Sequence, residues 1–198
     1  MNMIENGVIN HQFDWLMQPD YRIDSSGHLI INTQPDTDFW QRTHYGFRRD
    51  NGHCLLANQT QDFCMSVKTE YHAKMQYDQA GLYIRVDSDN WIKTSTEYEN
   101  ERHSRLGSVV TNHGYSDWAT IDIEGSVSEM WYKIQSKNQL KDYLIEYSTD
   151  GMDWRQLRIT HLHKDSRSIK IGIYACSPMS SSFEVKFSHF QVGDTMWL

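Results

Sequence analysis

Over residues 81–98 the side chains change character one by one, and few folds tolerate that pattern. Leu82, Ile84 and Val86 fall on one side, while Tyr83, Arg85 and Asp87 fall on the other. This is the two-residue period of a strand with one dry face and one chemically rich face. Residues 87–90 turn the chain, and Trp91, Lys93, Ser95 and Glu97 repeat the polar set on the return strand. The segment predicts an antiparallel pair that projects rings, cations and a carboxylate onto one surface, with Glu97 facing Arg85.

Short alternating runs recur at 21–24, 28–32, 64–71, 108–111, 130–135, 143–148, 155–159, 169–174 and 183–192. Turn signals such as Ser25-Ser26-Gly27, Lys137-Asn138 and Thr149-Asp150-Gly151 separate them. The count predicts an all-β, two-sheet antiparallel sandwich. Within 183–192 the apolar phase switches between Phe187 and Phe190, which predicts a bulge. The single helical expectation is one or two turns after Asp36 or Thr37, running through Asp38-Phe39-Trp40-Gln41-Arg42 toward Gly46. No linker or low-complexity tract divides the 198 residues, so one domain is expected over 1–198, with its core at about 13–192. Only 38% of residues are hydrophobic but 13% are aromatic, including seven Trp and eleven Tyr, so large rings must supply much of the burial.

Charge and spacing exclude several functions. Acidic residues number 26 against 19 basic ones, and no Lys/Arg block occurs, which argues against a nucleic-acid partner. No apolar stretch approaches the ~20 residues that span a bilayer, so no membrane partner is expected and the chain reads as cytoplasmic. Cys54, Cys64 and Cys176 have no metal-site spacing and read as reduced thiols. His161 and His163 share a strand face without an accompanying Cys or carboxylate constellation, so no metal is expected. No nucleophile elbow, phosphate-binding glycine loop or dinucleotide fingerprint is present, and no cofactor is expected.

Several motifs occur in a telling order: Asp38-Phe39-Trp40, Tyr45-Gly46, Asn51-Gly52-His53, Asp78-Gln79-Ala80-Gly81, Trp91-Ile92-Lys93, Glu97-Tyr98, Val109-Val110-Thr111, Ser116-Asp117-Trp118, Tyr147-Ser148-Thr149-Asp150-Gly151 and Ala175-Cys176-Ser177-Pro178. This order resembles the family named for a fungal regulator of enolase, concanavalin A-like jelly rolls of bacteria and fungi, over about residues 13–192. The resemblance implies a jelly roll of the lectin and glucanase type, no assigned reaction, and through the family name an effect on enolase and central carbon metabolism. The fold hosts many activities, so the site has to be argued separately.

Trp40, Tyr45 and Trp118 stand beside polar residues in loop-like contexts and are candidate stacking platforms for a sugar ring. Tyr83, Arg85, Lys93 and Glu97 from the alternating pair, joined by Lys133, supply the polar contacts. Arg85 and Lys93 also suit a phosphate or carboxylate. Flanking cations should hold Glu97 ionised, which favours accepting hydroxyl hydrogens over donating a proton. Thr120-Ile121-Asp122-Ile123-Glu124 resembles the Glu-x-Asp-x-Glu motif of jelly-roll glucanases, with Thr120 where the nucleophile would stand. The expected function is therefore non-catalytic binding of a carbohydrate or sugar derivative. A protein-interaction regulator of enolase is the first alternative, and a glycoside hydrolase using Glu97 with Asp122 or Glu124 is the second.

Overall fold

A computed structural model describes residues 1–197. In chain order the strands are β1 (Ile4–Glu5), β2 (Val8–Ile9), β3 (Phe13–Leu16), β4 (Asp20–Ile23), β5 (Leu29–Asn32), β6 (Phe39–Gln41), β7 (Arg48–Asp50), β8 (His53–Gln59) and β9 (Cys64–Tyr71). They continue as β10 (Gln79–Asp87), β11 (Asn90–Tyr98), β12 (His103–Asn112), β13 (Tyr115–Glu124), β14 (Glu129–Lys137), β15 (Asp142–Ser148), β16 (Arg155–His161), β17 (Ile169–Cys176) and β18 (Glu184–Gly193). A front sheet has the order β13-β12-β11-β10-β17-β8-β3, and a back sheet has the order β16-β15-β14-β9-β18-β5-β4. The crossovers between β10 and β17 and between β9 and β18 interleave distant segments, so neither sheet is built from consecutive hairpins alone.

The two sheets bury their facing residues in one core. The front sheet contributes Leu82, Ile84, Ile92, Leu106 and Val110, and the back sheet contributes Met65, Val67, Tyr132, Ile134, Tyr143, Ile145, Val185 and Phe187. Leu82 and Ile84 are thus the dry face expected from the alternation, and each such side chain stabilises the fold by roughly 1.5–3 kcal/mol when fully buried. Tyr132 crosses this core with its polar tip satisfied: its hydroxyl accepts from Thr96 N at 2.7 Å and lies 2.8 Å from Thr96 Oγ1.

A second apolar cluster lies on the other face of the front sheet. Tyr83, Trp91, Val109, Tyr174, Cys54, Leu56 and Cys176 rise from the strands, and Phe39 and Trp40 descend on them from the β6–β7 hairpin. The helix expected after Asp36 is therefore a strand. Phe39 pairs with Asp50, Trp40 with Arg49 and Gln41 with Arg48, and Arg42 and His44 follow at φ of 57° and 62°, a backbone that ends any helix. Tertiary burial of Phe39, with its ring 4.7 Å from Tyr83, outweighs the capping signal. Gly52 makes that burial possible, because a Cβ there would lie 2.3 Å from the Phe39 ring. The bulge expected in the last strand is present as a register shift between Ser188 and Gln191.

Candidate functional site

The register of the β10–β11 hairpin decides which polar residues meet. Tyr83 pairs with Lys93, Gly81 with Ser95 and Gln79 with Glu97. Extended across the sheet, Glu97 pairs with Arg105 and Arg105 with Asp122, while Lys93 pairs with Val109 and Val109 with Trp118. One row is thus charged, and a second row, separated from it by the small residues Gly81, Ser95 and Gly107, ends in an indole. Arg85 pairs with Trp91, so it lies at the opposite end of the hairpin from Glu97 and the expected facing pair does not form.

The β6–β7 hairpin closes over part of this face and leaves a cleft of about 720 Å³. Gln79, Lys93, Glu97 and Val109 form the floor, with Arg105 and Trp118 beside them. Trp40, Tyr45, Phe47 and Arg49 form one lip, and Asp36, Asp38, Pro178 and Met179 contribute to the other. Trp40 is nearly buried, and its indole N–H donates to Thr43 O at 2.9 Å. Its ring meets Tyr45 and Trp118 edge-on, with centroids at 5.6 and 6.4 Å. Tyr45 is 56% exposed and stacks on Phe47 at 5.7 Å.

The floor carries an unusual set of charges. Lys93 is only 3% exposed, with its Nζ 3.4 Å from Asp38 Oδ1 and 5.8 Å from the centre of the Tyr174 ring. Burial works against the Lys93 ammonium, but the Asp38 carboxylate beside it is the largest opposing influence and its pKa is raised, so the cation persists. Asp38 Oδ1 also accepts from Phe39 N at 2.7 Å, which ties the charged floor to the hairpin. Arg105 donates to Glu99 at 2.8 Å and lies 5.7 Å over the Trp118 ring.

Glu97 behaves differently from the expectation. Its carboxylate accepts from Gln79 Nε2 at 2.6 Å, and burial pushes its pKa up to about 8, with Asp38 and Glu99 adding to the effect while Lys93 and Arg105 oppose it. The flanking cations do not hold it ionised, because desolvation and two neighbouring acids prevail. At neutral pH the group is largely a carboxylic acid and can donate as well as accept.

Five of the eight candidate residues, Trp40, Tyr45, Lys93, Glu97 and Trp118, line this one cleft. Tyr83 lies beneath it, fully buried under Phe39. Arg85 is drawn away by a bidentate pair with Asp50, at 2.6 and 2.7 Å, and borders a separate cavity of about 240 Å³ with Lys170. Lys133 belongs to β14 on the back sheet, where it pairs with Glu146 at 3.0 Å and covers the Trp154 ring at 4.1 Å. Asp122, with its side chain 70% exposed, and Glu124 stand outside the cleft. Reasoning from the sequence misses Asp38, Gln79, Arg105 and Arg49, and it pairs Glu99 with Glu97 on one strand face only to read it as a solvated rim residue, whereas its side chain is 10% exposed and lines the cleft. For Gln79 the signal was available: it belongs to the same alternating face as Tyr83, two residues before Gly81.

Among the described residues no group of three or more His, Cys, Asp and Glu is arranged to hold a metal ion. His161 instead pairs with Asp142 at 2.6 Å. No helix is long and apolar enough to cross a membrane.

Regulation of enolase protein 1 of Saccharomyces cerevisiae is 32% identical over 182 residues, which cover 91% of this chain and 89% of the yeast protein. A crystal structure of a functionally unknown protein from Saccharomyces cerevisiae superposes with a TM-score of 0.85 at 30% identity, covering 94% of this chain and 98% of that one. Xylan beta-1,4-xylosidase of Bacillus halodurans C-125 superposes at 0.77 with 14% identity, over 98% of this chain but 38% of the enzyme. Lectin I-B4 of Griffonia simplicifolia superposes at 0.61 with 10% identity, over 96% of both chains. The last two likenesses establish the fold, a jelly-roll sandwich of the lectin type. The family described as Protein of unknown function (DUF1349) matches residues 15–195, and this chain belongs to it.

Proposed function

We propose that this protein, acting as a single domain, binds a carbohydrate or sugar derivative in the cleft between the β6–β7 hairpin and the front sheet, without turning it over. The observation that carries the reading is the cleft itself: Trp40, Tyr45 and Trp118 offer ring faces and edges, and Lys93, Glu97, Gln79 and Arg105 offer polar groups within the same space. Rings stack on the C–H faces of a sugar while fixed donors and acceptors orient its hydroxyls. Fold likeness to a lectin agrees with this reading. A hydrolytic reading needs two carboxyl groups across a scissile bond. Glu97 has the raised pKa of a proton donor, but Asp122 and Glu124 stand outside the cleft and Asp38 is held by Lys93.

A thermal-shift screen against mono- and oligosaccharides tests the proposal. A ligand specific to the native state at 100 times its Kd adds about 2.7 kcal/mol of stability. Saccharide-dependent stabilisation that Glu97→Gln alters would support the reading; silence across neutral, acidic and phosphorylated sugars would overturn it.

The name of the yeast relative supports a second reading, in which the protein regulates enolase through direct contact. The three free cysteines fit action in a reducing compartment such as the cytoplasm. Purified enolase mixed with this protein and run by size exclusion distinguishes the two: co-elution favours a protein interface, and independent elution with sugar-dependent stabilisation favours the cleft.

A further inference from the structure

Two cations reach the cleft with chemistry to spare. Arg49 stands on β7 directly opposite Trp40 and lines the cleft, and among the described residues its guanidinium has no ion-pair or hydrogen-bond partner. Its neighbours are engaged: Arg48 donates to Gln41 Oε1 at 2.7 Å and to Asp89, and Arg42 donates to Gly114 O at 3.2 Å. Lys93 on the floor has three donors but one carboxylate contact, at 3.4 Å.

The acids of the cleft are largely occupied. Asp38 accepts from Phe39 N and faces Lys93, and Glu99 accepts from Arg105 and from Gln76 at 2.8 Å. Asp36, on the opposite lip, is the exception: it is exposed, and its carboxylate has no hydrogen-bond or ion-pair partner among the described residues. An unpaired planar fork beside an aromatic wall is suited to meet a carboxylate or phosphate, whose oxygens match its N–H groups two at a time.

We infer that the cleft selects an acidic sugar, one bearing a carboxylate or a phosphate, over the neutral sugar of the same configuration, with Arg49 setting the preference and Lys93 as the second cation. The inference rests on the reading that the cleft binds a sugar. It also requires Glu97 not to repel the anion. With a pKa of about 8, Glu97 holds its proton at neutral pH and presents a donor instead of a charge. Around it stand Lys93 on its own strand, Gln79 on β10, Arg105 on β12, and Asp38 and Glu99. Tyr174 and Cys176 of β17 are fully buried near it, with pKa values pushed well up by burial, so they remain neutral. Above about pH 8 Glu97 ionises and the anion meets a carboxylate.

Calorimetric titration of the full chain with methyl β-D-glucoside, methyl β-D-glucuronide and glucose 6-phosphate, and with their galacto counterparts, tests this directly. At about pH 7 an acidic sugar binds about tenfold or more tightly than its neutral match, the discrimination one charge-assisted contact provides. A preference for the uronide identifies a carboxylate ligand, and a preference for the phosphate identifies a phosphorylated one. Arg49→Ala, at an exposed position, brings the ratio close to one while its unfolding temperature stays near that of the wild type. At about pH 9 the wild type loses affinity for the acidic sugar and Glu97→Gln retains it. Equal affinity for neutral and acidic sugars, or a preference that survives Arg49→Ala, overturns the inference and leaves the cleft reading standing. Failure of every sugar to bind removes both.

Discussion

Gln79 Nε2 lies 2.6 Å from Glu97 Oε2, at the position directly opposite in the β10–β11 register. The acid therefore has a neutral partner within hydrogen-bond distance, while the nearest cation of its own strand, Lys93, is directed at Asp38. Burial is the largest influence on Glu97 and, with Asp38 and Glu99, raises its pKa to about 8 against the opposing pull of Lys93 and Arg105.

The raised value makes stability depend on pH. The folded pKa lies above the reference value of 4.5, so the native state holds this proton more tightly than the unfolded chain. The contribution is fully present below the unfolded value and is lost as pH rises through about 8. Urea denaturation across that window should show a decline on the order of a few kcal/mol from this group, and Glu97→Gln should flatten it. Equal slopes in the two proteins would show that Glu97 titrates normally.

Lys93 and Asp38 should behave as a unit. Lys93→Met leaves the partly buried Asp38 without its cation and is expected to destabilise the protein by about 1–3 kcal/mol. Adding Asp38→Asn removes the stranded charge and should recover part of that loss, so a double-mutant cycle by chemical denaturation reads a coupling of about 1 kcal/mol or greater. Strict additivity would contradict the pairing.

Gly52 controls the hairpin that roofs the cleft. A Cβ at this position would lie 2.3 Å from the Phe39 ring, so Gly52→Ala must displace that ring from Tyr83 and Trp91. Overpacking of this kind is expected to destabilise by about 1–3 kcal/mol. Tryptophan fluorescence should shift with it, since Trp40 belongs to the same hairpin, and an unchanged spectrum and midpoint would show that β6 packs differently.

Much of the front sheet was legible because its strands alternate. Leu82 and Ile84 face the core and Tyr83, Lys93 and Glu97 the other side, as the period of two demands. Register was only partly legible: symmetry about the turn at Ser88 and Asp89 sets Asp87 against Asn90, but a bulge between Arg85 and Asp87 shifts the rest by one, which sets Arg85 against Trp91 and Glu97 against Gln79. Lys133 shows the limit, since alternation gives a face but not a sheet, and β14 lies in the other layer. β8 escaped detection because it is sandwiched between β17 and β3 and is buried at five successive positions, which erases the alternating signal. The β6–β7 hairpin was misread because Asp36 and Thr37 look like helix caps; in fact the Thr37 hydroxyl donates back to Gln34 O at 2.7 Å and accepts from Ser177 N at 3.0 Å, so it ties the loop to the end of β17 and caps nothing.

The most direct test of the central claim is calorimetric titration of the best-stabilising saccharide into the wild type and Tyr45→Ala. Tyr45 is 56% exposed on the cleft lip, so its removal should leave the unfolding temperature within about a degree or two. The account predicts that affinity falls about tenfold, the worth of one lost ring contact. Undiminished binding by Tyr45→Ala, or no binding by the wild type, would contradict it.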